Sequence, residues 1–154
     1  MSYQSFTLPR VVAAFSLTIR QAADDFAGIA PAEPSDWLRT TLRYQTPLVM
    51  GKTSEKGRSE FLVAPILVEV REKKEGRIAL FSGVKFDVDR KAGLYGYCDN
   101  EGAGKPLETV YGAVTDGTRW RFLRLVGKDV SLDLREYTLT ELPQILGILA
   151  HMVS

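Results

Sequence analysis

Two carboxylates stand where chemistry could be built. Asp99 closes the apolar run LYGYCD, 94–99, so it would sit at the end of a buried strand. A carboxylate there can bind a hard cation such as magnesium, or it can simply cap a turn. Glu60 lies in SEKGRSEFLVAPILVEVREKK, the longest helical candidate, and it reaches the same place if that helix packs across the sheet. Read alone, Glu60 is an ordinary solvated helix residue. Asp87 and Asp89 flank Val88 and share a strand face with Lys85, which suits a metal pair or a polar outer face. Arg119 and Arg121 share a side of RWRFLRL and could touch phosphate, as an exposed strand face also could.

Other groups are poorer candidates. The run EVREKK, from Glu69, contains a Glu-x-Lys spacing, but it lies at a charged helix end, where lysines complement the helix dipole. His151 is the single histidine and Cys98 the single cysteine, so neither has the companions that a zinc site needs. No phosphate-cradling glycine loop and no Ser-His-Asp pattern occurs.

Elements must position these residues. LPRVVAAF begins a short helix, with Thr7 as cap and Pro9 in the first turn. SLTIR, 16–20, alternates like an edge strand. GIAPAEPSD leads into a helix through Trp37, Leu38, Leu42 and Tyr44, capped by Ser35 or Asp36. Phe61, Leu62, Ile66 and Val70 recur at helical spacing, with Pro65 kinking that helix or setting its start. RIALFSGVKFDVD, 77–89, and 94–99 form an antiparallel hairpin. Strands follow in ETVYGAVT, RWRFLRL and KDVSLDL, with Asp-Gly at the tip of the first turn. TLTELPQILGILAHMV ends the chain as an apolar helix. The expected fold is one mixed α/β (α+β) domain over 1–154. Its hairpin 77–99 and strands 108–134 share one sheet, flanked by the 55–75 helix and the last helix.

The chain has 154 residues and a formal net charge of +1, so no global field draws it to nucleic acid or to an anionic membrane. One cysteine excludes an internal disulfide and suits a reducing cytoplasm. No signal peptide or membrane-spanning run is read, so a membrane is not expected as partner.

The ordered blocks GRSEFLVAPIL, LFSGVKFDVD, GLYGYCD, TVYGAVTDGTRWRFLRL, DLREYTL and QILGILAHMV resemble a group of small bacterial proteins of the PD-(D/E)XK nuclease superfamily. They are also similar to the N-terminal nuclease region of type I restriction subunits. The resemblance covers most of the chain after about residue 35. It implies a restriction-endonuclease-like mixed sheet flanked by helices, magnesium as cofactor and DNA as partner. It also implies Asp99 and Glu60 as catalytic and metal-binding carboxylates. The next strand should carry a Glu-x-Lys motif, followed by a glutamine-bearing helix, and neither is present. Asp99 runs directly into Asn100 and the loop before a later strand. Either the chain carries a true deletion there or an interval is missing from the sequence.

Without that strand, cleavage has no complete metal site and no lysine to stabilise developing charge. The expectation is a nuclease by ancestry, inactive or incomplete in this chain. Its rivals are a non-catalytic binding or assembly module on the same fold, and a small soluble α/β protein of other role. Loss of a strand also bares a sheet edge, through which a homodimer would form.

Overall fold

The computed structural model describes residues 8–51, 53–78, 80, 84–89, 94–98 and 109–154. It is a mixed α+β fold. Helix α1 spans Leu8–Phe15 and leads into strand β1, Thr18–Ala22. Helix α2 spans Asp36–Val49. Its cap is Ser35, whose hydroxyl accepts the N–H of Leu38 at 3.2 Å. Such a cap satisfies one of the donors that every helix N-terminus leaves open.

The expected long helix is divided. Helix α3, Glu55–Arg58, passes into a π-helical turn over Ser59–Val63, and α4 runs Ala64–Lys73. Pro65 supplies the reason. It has no N–H, and its ring collides with the carbonyl four residues back, that of Phe61, in a regular helix. The widened turn relieves that collision, and Ala64 donates to the carbonyl of Ser59 instead. Pro65 then sits in the first turn of α4, where proline is tolerated.

Strands β2, Val84–Asp89, and β3, Leu94–Cys98, pair antiparallel, with a register irregularity between Asp87 and Asp89. The strand expected over 77–89 is corrected at its start: residues 77, 78 and 80 lie outside any strand, and β2 begins at Val84. Strands β4, Thr109–Thr115, β5, Arg119–Val126, and β6, Asp129–Asp133, follow as a meander. Between β4 and β5, Gly117 adopts φ +91°, a left-handed conformation that suits glycine at a tight turn. A two-residue strand β7, Tyr137–Thr138, pairs with the start of β5. Helix α5, Leu142–Met152, completes the fold.

One expectation is corrected. The hairpin and the later strands do not share a sheet. The larger sheet has the order β1-β6-β5-β4, with β7 on β5, and β2-β3 forms a separate two-stranded sheet. The second neighbour of β6 is β1, which pairs with it in parallel from Thr18 opposite Asp129 to Ala22 opposite Asp133. Alternation identifies a strand, whereas its partner depends on which edge the connecting chain brings close.

The core lies between one face of the larger sheet and the helices. Trp120, Phe122 and Tyr137 are buried with Leu38 and Leu42 of α2, Leu62 of the π turn, Ile66 and Val70 of α4, and Ile145, Leu146, Ile148 and Leu149 of α5. Each fully buried aliphatic side chain contributes about 1.5–3 kcal/mol through removal from water. Phe122 is the centre of the aromatic packing, 5.7 Å from Phe26 and 5.5 Å from Tyr137 between ring centroids.

Candidate functional site

Glu60 lies in the π turn, five residues before Pro65. Its neighbour Leu62 points inward and is fully buried, whereas the Glu60 side chain is 58% exposed. Its carboxylate approaches Lys56 at 3.8 Å, an i,i+4 pair in water. Asp99, and with it the junction to Asn100, lies outside the described residues. Asp87, Asp89, Lys85 and Cys98 are placed by their backbones alone, in β2 and β3. Among the described residues, no three His, Cys, Asp or Glu side chains are grouped so as to hold a metal ion.

The arginines of β5 are described in full. Arg119 donates from Nε and Nη2 to Asp116 Oδ2 at 3.2 and 3.0 Å. Glu136 sits between the two arginines, 3.9 Å from Arg119 and 3.4 Å from Arg121. These groups and Trp120 line an open depression of ≈ 350 Å³. Asp116 also accepts from the N–H and hydroxyl of Thr118 and from the N–H of Arg119. Burial pushes the Asp116 carboxyl up, but the Thr118 hydroxyl, both N–H groups and the Arg119 guanidinium outweigh it. The group is held far below the usual carboxylate range. The pair therefore locks the β4–β5 turn, and a phosphate would have to compete with two carboxylates for these donors.

Two buried carboxylates were not singled out by the sequence. Glu69 of α4 accepts the N–H of Ser35 at 2.8 Å and its hydroxyl at 2.7 Å. Lys73 lies 3.5 Å from the same carboxylate and donates to the carbonyl of Glu33. Burial raises the Glu69 pKa, but the Ser35 hydroxyl and N–H and then Lys73 reverse that, so the carboxyl is held below its usual value. Asp133, at the end of β6, is fully buried. Its Oδ1 accepts the N–H groups of Asp24 and Arg135 at 3.0 and 2.9 Å. Arg135 bridges Asp24 and Glu141, each at 2.9 Å, and its guanidinium lies 4.6 Å over the Tyr137 ring. Burial, then the charge of Asp133, raises the Tyr137 phenol above its ordinary value. The sequence signal for Glu69 was its apolar setting, between Val68 and Val70 at the spacing of the α4 core positions. That for Asp133 was its alternation with Ser131 on the inner face of a strand.

A second depression, of ≈ 380 Å³, lies over β1, β6 and β5 between Arg20, Ser131 and Arg124. Ser131 donates to Asp25 at 2.7 Å, and Arg124 approaches the same oxygen at 3.5 Å. His151 is exposed on α5 and meets the Tyr111 ring edge-on at 5.9 Å. Together these charged groups tie loops and turns to the sheet, and each buried acid among the described residues is engaged through at least one oxygen, Asp133 Oδ2 alone of their oxygens being buried without a partner.

No family model, no curated protein and no solved structure matches the chain. No helix among the described residues is long and apolar enough to cross a membrane.

Proposed function

We propose that this chain is a non-catalytic binding or assembly module on a nuclease-like scaffold, and that it does not cleave phosphodiester bonds by itself. The observation that carries this reading is the setting of Glu60. Its carboxylate faces solvent and Lys56, and a cation held there would have to displace that lysine. A magnesium ion needs near-octahedral oxygen ligation and keeps water wherever carboxylates are few. One exposed glutamate, with or without Asp99, gives a weak site. The resemblance to PD-(D/E)XK proteins supports the ancestry of the scaffold, with DNA and magnesium as the ancestral partners and the cytoplasm as the setting. The absence of a Glu-x-Lys strand after Asp99 supports loss of the chemistry. The test is plasmid cleavage with magnesium, comparing the chain with its Asp99→Ala variant. No cleavage by either is expected. Robust cleavage that disappears in Asp99→Ala would overturn the proposal.

A further inference from the structure

The two edges of the larger sheet differ in kind. β1, at one edge, carries Arg20 and Gln21, and a charged edge resists pairing with another chain. β4, at the other, reads TVYGAVT, seven residues with no charge and no proline. Among the described residues nothing pairs with its outer side, and the β2–β3 hairpin forms its own sheet. Every second residue of such a strand presents its N–H and C=O outward. Val110 and Val114 on it are 43% and 65% exposed. Among the described residues, none of the usual devices that blunt an edge is present at β4.

The order of residues in β4 is close to its own reverse. Thr109 and Thr115, and Val110 and Val114, stand symmetrically about Gly112. We propose that β4 is the dimerisation edge of this protein, pairing antiparallel with β4 of a second copy about a two-fold axis at Gly112. In that register Thr109 faces Thr115 of the second copy, Val110 faces Val114, Gly112 faces itself, and Tyr111 faces Ala113. Thr–Thr and β-branched pairs directly opposite each other stabilise antiparallel strands. The one unlike pair sets a large side chain opposite a small one. Tyr111 is already drawn inward, with its ring 6.4 Å from Phe26 and 5.9 Å from His151, so it leaves the space over Ala113 open.

Behind the paired edges, the open face of the sheet is apolar. Val110 lies beside Leu125 and Gly112 beside Leu123, with Leu132 opposite Leu123 on β6. A Cβ on Gly112 would stand 2.9 Å from Leu123 Cδ1, so the absence of a side chain there lets Leu123 lie across the strand. Two copies would join their sheets into one continuous sheet and remove both bare edges. The pairing is isologous and closes at two, with the charged β1 strands left outermost. It gives the assembly reading a partner, and it stands or falls separately from catalysis, because the assays differ.

The register itself is testable. Sedimentation velocity across the micromolar range should show a species of twice 17.1 kDa for the unaltered chain. Val110→Lys with Val114→Lys sets lysine opposite lysine at both symmetric positions, and the dimer should be lost. Val110→Lys with Val114→Glu sets opposite charges across the axis, and the dimer should return. Circular dichroism confirms folding of each variant. If the double-lysine chain does not fold, Val114→Lys alone sets a charge opposite Val110 at the more exposed position, and the dimer should be weakened. A monomer for the unaltered chain throughout, a dimer indifferent to the lysines, or no difference between the Lys/Lys and Lys/Glu variants would overturn the proposal.

Discussion

Ser35 and Glu69 are 34 residues apart in the chain and joined by two hydrogen bonds, one from the serine N–H and one from its hydroxyl. The same hydroxyl caps α2 through Leu38. Glu69 therefore fixes the start of α2 to the middle of α4, and it does so with a carboxylate that is almost wholly removed from water. Replacing it by alanine leaves the Ser35 N–H without that acceptor, and an orphaned buried donor costs about 1–3 kcal/mol. Glu69→Ala should lower the urea midpoint accordingly. Ser35→Ala should cost about 1 kcal/mol through the lost cap. The double variant should lose less than the sum of the two, since they share the contact. Additive losses would show that the pair is not coupled.

Acid should weaken the fold through the same group. The Glu69 pKa in the folded chain is lower than its ordinary 4.5, and that of Asp116 lies well below 3.8. A depressed folded pKa means that the unfolded chain binds more protons in this range, so stability rises with pH there. The contribution is fully present above about pH 4.5 and is lost as pH falls through the folded values. Denaturation midpoints measured from pH 7 to pH 3 should fall more steeply for the unaltered chain than for Glu69→Gln with Asp116→Asn. Equal slopes would remove these two carboxylates from the account.

Gly147 should not tolerate alanine. Alanine is the better helix former by about 1 kcal/mol. Yet a Cβ at this position of α5 would lie 2.2 Å from the carbonyl oxygen of Ala30 and 3.0 Å from the Pro31 Cα. Both obstacles are backbone, so the loop must move, and overpacking of this kind typically costs about 1–3 kcal/mol. Gly147→Ala should therefore destabilise, by thermal or urea unfolding. A rise in stability would mean that the loop at residues 30–31 yields freely.

Glu60→Ala should change stability by no more than about 0.5 kcal/mol, the usual worth of an exposed i,i+4 pair. Millimolar magnesium should leave the melting temperature of the unaltered chain unmoved, because a ligand stabilises only in proportion to its occupancy of the native state. Differential scanning fluorimetry with and without magnesium checks both. A magnesium-dependent rise that vanishes in Glu60→Ala would establish a metal site at the π turn.

Local order was legible in the chain. Ser35 before an acidic first turn announced α2, Asp116-Gly117 announced the β4–β5 turn, and the alternation in RWRFLRL placed Trp120 and Phe122 on one side and Arg119 and Arg121 on the other. These are nearest-neighbour effects, carried by side chains within four residues of each other. The proline at 65 marked a disturbance, and only the helix geometry decided that it becomes a π turn. The hairpin pairings of β2 with β3 and of β4 with β5 were legible as well, but partnership between strands distant in the chain was not. Periodicity cannot tell that β1 runs parallel to β6, or that among the described residues the β2–β3 hairpin stays apart from the larger sheet, because pairing depends on which edges the packed helices leave within reach. The same holds for charge. Glu69 and Asp133 stand between apolar neighbours and Glu60 beside one, and tertiary packing decided that Glu60 stays solvated and the other two are buried. Their chemistry follows from the water they keep or lose, and that is decided by contacts between residues far apart in the chain.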